Sequence, residues 1–121
     1  MLVVDRARGT DAMPGPVTQL EGRVSGAGVS VIFVSTDRDG AGPFLHEHPY
    51  AETFVIHAGQ ARFTVGEEEL LGVAGQVIVV PAYTPHRFAV VGPGRFESTN
   101  IHASDRFVTT WLDGPQADPL R

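Results

Sequence analysis

HEHPYAE, residues 46–52, is the stretch on which the reading of this chain turns. Two of its five histidines stand one residue apart, a carboxylate follows four residues after the second, and strand-like apolar sequence lies on both sides. In an extended strand, residues two apart point to the same face, so the imidazoles of His46 and His48 project together, roughly 6 to 7 Å apart along the chain. Pro49 cannot donate to a sheet ladder, so Pro49-Tyr50 marks a bend or bulge that can swing Glu52 back toward the pair. A fourth candidate, His86, follows in VPAYTPHRF, where Pro81 and Pro85 stiffen the approach to a strand beginning at that histidine. Three neutral imidazoles and one carboxylate suit borderline divalent ions such as Fe, Mn, Ni, Zn or Cu, and open positions at such a site make it catalytic rather than structural. Spacing alone does not bring the four together, and solvated surface histidines satisfy a lone His-x-His equally well.

Outward from this stretch, fourteen Gly and nine Pro punctuate short segments rich in β-branched and aromatic residues. That pattern predicts strands at 28–35, 44–48, 52–57, 61–65, 69–73, 76–80, 86–91, 96–102 and 106–112. No segment has a 3.6-residue period, so an antiparallel sandwich or barrel is expected. The 121 residues make one domain, with an irregular lead-in over about 1–16, a barrel core over about 28–112 and a frayed tail. A net charge of -5 without a basic stripe argues against nucleic acid or an anionic membrane as partner. The absence of cysteine excludes thiolate ligands and nucleophiles, so a metal site must use His, carboxylate or water. No stretch reads as a signal peptide or membrane span, and a cytoplasmic protein is the default expectation.

The segment from Gly40 to Gly59 reads G-x5-H-x-H-x3-E-x6-G, and after 15 intervening residues Gly75, Pro81 and His86 fit G-x5-P-x-G-x2-H-x3-N. In these two motifs the chain resembles a small single-domain cupin. The resemblance implies an all-β double-stranded β-helix, or jelly roll, with one divalent metal ion held inside one end of the barrel by His46, His48, Glu52 and His86. Two positions depart from the pattern. Tyr83 stands where the motif has Gly, and since a bulky residue seldom takes positive φ, a different turn is expected there, with the ring over the pocket mouth. Val90 replaces the motif's Asn and offers only apolar contact.

Alternation from the ligands predicts Phe54, Ile56, Phe63, Ile78, Phe88 and Val90 as an apolar pocket lining, and His57 as a surface or subunit-contact residue. The direction of Asn100 and His102 is open, because RFESTNIHA carries apolar residues on both faces. Facing inward they would be acid-base or orienting groups; otherwise His102 is an edge-strand histidine. Tyr50 is divided between pocket rim and packing, and Phe107 and Trp111 are assigned to packing or a subunit contact. Apolar outward positions at Val31, Phe33 and Val55 predict a homodimer. The functional expectation is a metal-dependent enzyme acting on a small, largely apolar or aromatic molecule, with dioxygenase-type chemistry favoured and Tyr83 and His102 as candidate catalytic residues. A Lewis-acid isomerase, lyase or polyketide-cyclase-type enzyme is the alternative, and a non-catalytic binding or sensor module the rival of another class.

Overall fold

The computed structural model describes residues 1–6 and 18–114. The tail and most of the lead-in lie outside these residues. Ten strands and one short helix follow in the order β1 (Gln19–Leu20), α1 (Gly22–Ser25), β2 (Ser30–Thr36), β3 (His46–Glu47), β4 (Glu52–Ala58), β5 (Gln60–Val65), β6 (Glu68–Val73), β7 (Val77–Val80), β8 (His86–Val90), β9 (Phe96–His102) and β10 (Thr110–Trp111). They pair antiparallel into two five-stranded sheets, ordered β1-β2-β9-β4-β7 and β10-β3-β8-β5-β6, the two layers of a jelly roll. No described helix is long and apolar enough to cross a membrane.

Period-two alternation builds this arrangement. Along β4, Glu52, Phe54 and Ile56 are buried while His57 is exposed, and along β8, His86, Phe88 and Val90 are buried. Phe54 meets Phe63 edge-on at 5.1 Å and Phe88 lies 5.8 Å from Phe96, so the phenylalanines of both sheets interlock between the layers. The buried histidines and Glu52 gather at one end, while the buried Ser98 and Asn100 continue along β9 beside Ile56 and Phe54. His46, Glu52 and His86 each begin a strand and His102 ends one, and the register sets His46 opposite His86 and Glu52 opposite His102.

Three expectations change. The strand expected over 44–48 shrinks to His46–Glu47, because Pro49 ends the ladder and Gly40 and Ala41 instead bond to the two backbone groups of Val90. The strand expected over 106–112 shrinks to Thr110–Trp111, since the preceding residues arch over the barrel end. The predicted pocket lining is a packed core: Phe54, Ile56, Phe63, Phe88 and Val90 are each no more than 4% exposed, with Ile78 packed against them. Side chains around a cavity roomy enough for a substrate would keep accessible area; these fill the barrel instead.

Two motif glycines have separate physical reasons. Gly59 has φ +73, and a Cβ there would collide with the Arg95 carbonyl oxygen as the chain leaves β4. Gly40 has φ +83 but open space around it. Gly40→Ala is therefore expected to cost about 1 kcal/mol of left-handed strain, and Gly59→Ala about 2 to 3 kcal/mol because backbone must also move. Urea unfolding of the two variants checks the ordering, and equal costs would contradict it.

Candidate metal centre

His46, His48, Glu52 and His86 come together at the polar end, each buried, with one ligand atom from each within 4.8 Å of all the others. The Nε2 atoms of His48 and His86 both lie 3.1 Å from Oε1 of Glu52. Pro49 and the bend after it deliver Glu52 to the pair, as the spacing of HEHPYAE suggested. Pairing of β3 with β8 brings in His86 from a sequence position 40 residues after His46.

The ring orientations follow from local backbone. Nδ1–H of His46 donates to the Phe44 carbonyl at 2.7 Å and Nδ1–H of His86 to the Thr84 carbonyl at 2.8 Å, each two residues back along the chain. Nδ1–H of His48 donates across the fold to the Val108 carbonyl at 2.8 Å. A carbonyl can only accept, so the hydrogen of each neutral ring sits on Nδ1 and Nε2 presents a lone pair. At 3.1 Å the Nε2 of His86 has hydrogen-bond geometry to Glu52 Oε1, whereas the buried Nε2 of His48, equally close to that oxygen, has no hydrogen-bond partner among the described residues. A cation among these atoms would give the unpartnered nitrogen and the carboxylate a common partner, and the three-nitrogen, one-oxygen set suits one divalent transition-metal ion.

The electrostatics agree. Burial, reinforced by His86, pushes the pKa of His46 down to about 4, so its ring stays neutral in mildly acidic solution. Burial of Glu52 acts to raise its pKa, but the imidazoles of His102, His48 and His86 outweigh it and hold the carboxyl well below the usual range. Burial also raises the pKa of Tyr50, to about 12.

His102 faces inward and is buried, which resolves the direction that its sequence left open. Its Nε2 lies 3.1 Å from Oε2 of Glu52, and its Nδ1 lies 2.7 Å from the Tyr50 hydroxyl. Asn100 is buried on the same face and accepts a hydrogen bond from Ser98 at 2.7 Å. His57 is exposed and bonded to Thr99, away from the cluster, as expected. Tyr83 overturns the expectation of a different turn: it takes φ +58, the conformation a glycine would favour. Its N–H donates to the His48 carbonyl at 2.7 Å, a bond that offsets strain of roughly 1 to 2 kcal/mol, and its side chain is 68% exposed.

Sequence reasoning missed the C-terminal segment as part of the site. Trp111 packs on the His46 ring at 5.0 Å and Phe107 on His102 at 4.9 Å, while Thr109 Oγ1 approaches His48 Nδ1 at 3.3 Å. The Val108 carbonyl that orients His48 could not have been found from sequence, because a backbone acceptor carries no residue signature.

A family model described as "Cupin domain" matches residues 27–102. A search of curated proteins finds no match. Among solved structures, a recombinant oxalate oxidase in complex with glycolate superposes with a TM-score of 0.73 at 18% identity, covering 92% of this chain and 63% of that one. An oxalate decarboxylase from Bacillus subtilis, studied for its Mn(II) centres, gives 0.70 at 22% identity, covering 78% of this chain and 27% of that one. The chain thus spans between about a quarter and two thirds of these neighbours, and at such identities the likeness shows the fold.

Two outcomes are expected. His46→Ala and His86→Ala should each weaken metal binding by more than the roughly 100-fold that losing a supporting hydrogen bond can cost, whereas His57→Ala should leave it unchanged, as read by metal content after dialysis. In metal-free protein, His46 has a folded pKa near 4 against 6.5 in a free chain, so the unfolded state binds the extra proton. Stability should therefore fall by roughly 3 kcal/mol as pH drops from about 6.5 to about 4. Urea unfolding of the wild type and His46→Gln across that range measures it, and identical slopes would refute the assignment.

Proposed function

The chain belongs to the cupin domain family, and from its buried set of three imidazoles and one carboxylate we propose that it is a metal-dependent enzyme of dioxygenase type acting on a small molecule. The observation that carries this reading is the convergence of His48 and His86 Nε2 on Glu52 Oε1, with every ligand ring oriented by a backbone carbonyl. Held by such donors, a redox-active ion supplies electron transfer to oxygen, and a redox-inert one supplies Lewis acidity.

The chain's own residues do the rest. Phe54 lies 6.2 Å from the His86 ring and closes the barrel beneath the cluster, so water is excluded from below. Because that apolar interior is filled, it leaves no room for a substrate ring between the sheets, and a substrate would meet the cluster from outside the core. A compact molecule that chelates through two oxygens, such as a catechol, a 1,3-diketone or an oxalate-like acid, fits the reading better, and the structural neighbours described with oxalate chemistry point the same way.

A second reading, a Lewis-acid isomerase, lyase or cyclase, is favoured by the His102–Tyr50 hydrogen bond beside Glu52. In it His102, and Tyr83 at the rim, are the proposed proton carriers. We also propose that a second copy of this chain covers the outer face of the first sheet. There the uncharged rows Val31–Ile101–Thr53–Val79 and Phe33–Thr99–Val55–Val77 run unbroken across four strands, with Val77 and Val79 more than half exposed.

Elemental analysis of protein purified without added metal, joined to an oxygen-electrode assay against those three substrate classes, tests the main reading. Metal-dependent oxygen uptake that disappears in His86→Ala is expected. Turnover without oxygen uptake selects the second reading, and tight binding without turnover a non-catalytic module. In the second case His102→Ala should lower kcat about 10²- to 10⁴-fold. Val77→Lys with Val79→Lys should convert a dimer to a monomer in analytical ultracentrifugation, and a wild type that sediments as a monomer would exclude the dimer.

A further inference from the structure

The atom facing Nδ1 sorts the four buried imidazoles at this end of the barrel. His46, His48 and His86 each direct Nδ1 at a backbone carbonyl, which fixes the hydrogen there and frees Nε2. His102 is different, because its Nδ1 faces a hydroxyl, that of Tyr50, at 2.7 Å. The Tyr50 oxygen already accepts the Val108 N–H at 3.2 Å, so its own hydrogen is available to His102 Nδ1. A neutral ring that accepts at Nδ1 carries its hydrogen on Nε2, the atom 3.1 Å from Glu52 Oε2.

Glu52 is therefore divided between two kinds of partner. Oε1 meets Nε2 of His48 and of His86, the latter in hydrogen-bond geometry, and Oε2 meets Nε2 of His102. His102 stands outside the four-residue group whose ligand atoms all lie within 4.8 Å of one another. Its buried Nε2 approaches Oε2 off the N–H axis and has no hydrogen bond among the described residues. An in-line bond needs only a rotation of the carboxylate, the freedom that binding through Oε1 would fix. Both members of the pair are clamped: Tyr50 stacks on His48 at 5.0 Å and 7°, and Phe107 sits edge-on to His102.

We propose that Tyr50 and His102 form a positioning pair that reserves Oε2 of Glu52 through a hydrogen bond, so that Oε1 is the oxygen left to hold a metal. This rests on the metal-site reading above. The pair acts through Glu52 and is not itself a ligand.

The protein labelled with 15N at histidine and titrated with Zn(II) tests it. Of the five labelled rings, those of His46, His48 and His86 should carry hydrogen on Nδ1 and show Nε2 resonances that move on Zn(II) addition, while exposed His57 should not shift. The fourth buried ring, assigned to His102 by its absence in His102→Gln, should carry hydrogen on Nε2 and show no direct Zn(II) shift. His102→Ala should weaken Zn(II) binding about 10- to 100-fold, Tyr50→Phe should weaken it less, and His102→Gln, which keeps an N–H donor, should recover most of it. Hydrogen on Nδ1 of His102, or a Zn(II) shift at its Nε2 marking a fifth ligand, overturns the proposal while leaving the metal site intact. Zn(II) shifts at none of the four rings would remove the metal site and this inference together.

Discussion

One buried carboxylate surrounded by imidazoles is the constraint to which the rest of the barrel end answers. Glu52 is 3% exposed, yet three histidine nitrogens at 3.1 Å hold it ionised. Such a group is costly to bury unless it is compensated, and a cation held by the same ring nitrogens would add to what the imidazoles supply. Around it the fold supplies carbonyls that fix the tautomers, a floor of phenylalanine and two aromatic covers, Phe107 and Trp111.

Strand alternation and turn chemistry made much of this legible from sequence. HEHPYAE held the two-residue spacing of His46 and His48, the chain-breaking Pro49 and the delayed Glu52. Inward positions along β4 and β8 followed from these by counting in twos, and the exposure of His57 agrees. Counting also picked the right residues for the barrel interior, but it could not tell a lined pocket from a filled core. That distinction depends on how closely side chains from opposite sheets approach, and the pattern of one chain does not contain it.

Other features were out of reach for different reasons. The inward turn of His102 depends on the register of β9 against β4, which sets it beside Glu52, and no local rule fixes a pairing between such distant segments. Tyr83 shows the limit of propensity: steric preference argues against φ +58, but a hydrogen bond to the His48 carbonyl between two flanking prolines holds it there. Part of the contribution of residues 107–111 lies in the backbone groups of Val108, and the segment falls beyond the stretch 27–102 that the family model matches.

Both backbone polar groups of Val108 are used. Its carbonyl steadies His48 while its amide steadies Tyr50, and its own side chain is 42% exposed to solvent. The information at this position is thus stored in the main chain. Drift among most side chains at 108 would leave these contacts untouched, whereas an imino acid, lacking the amide hydrogen, would remove the bond to the tyrosine. A comparison of homologues at that column would show wide variation with one forbidden letter, and a count of identities would pass over one of the residues that holds the site together.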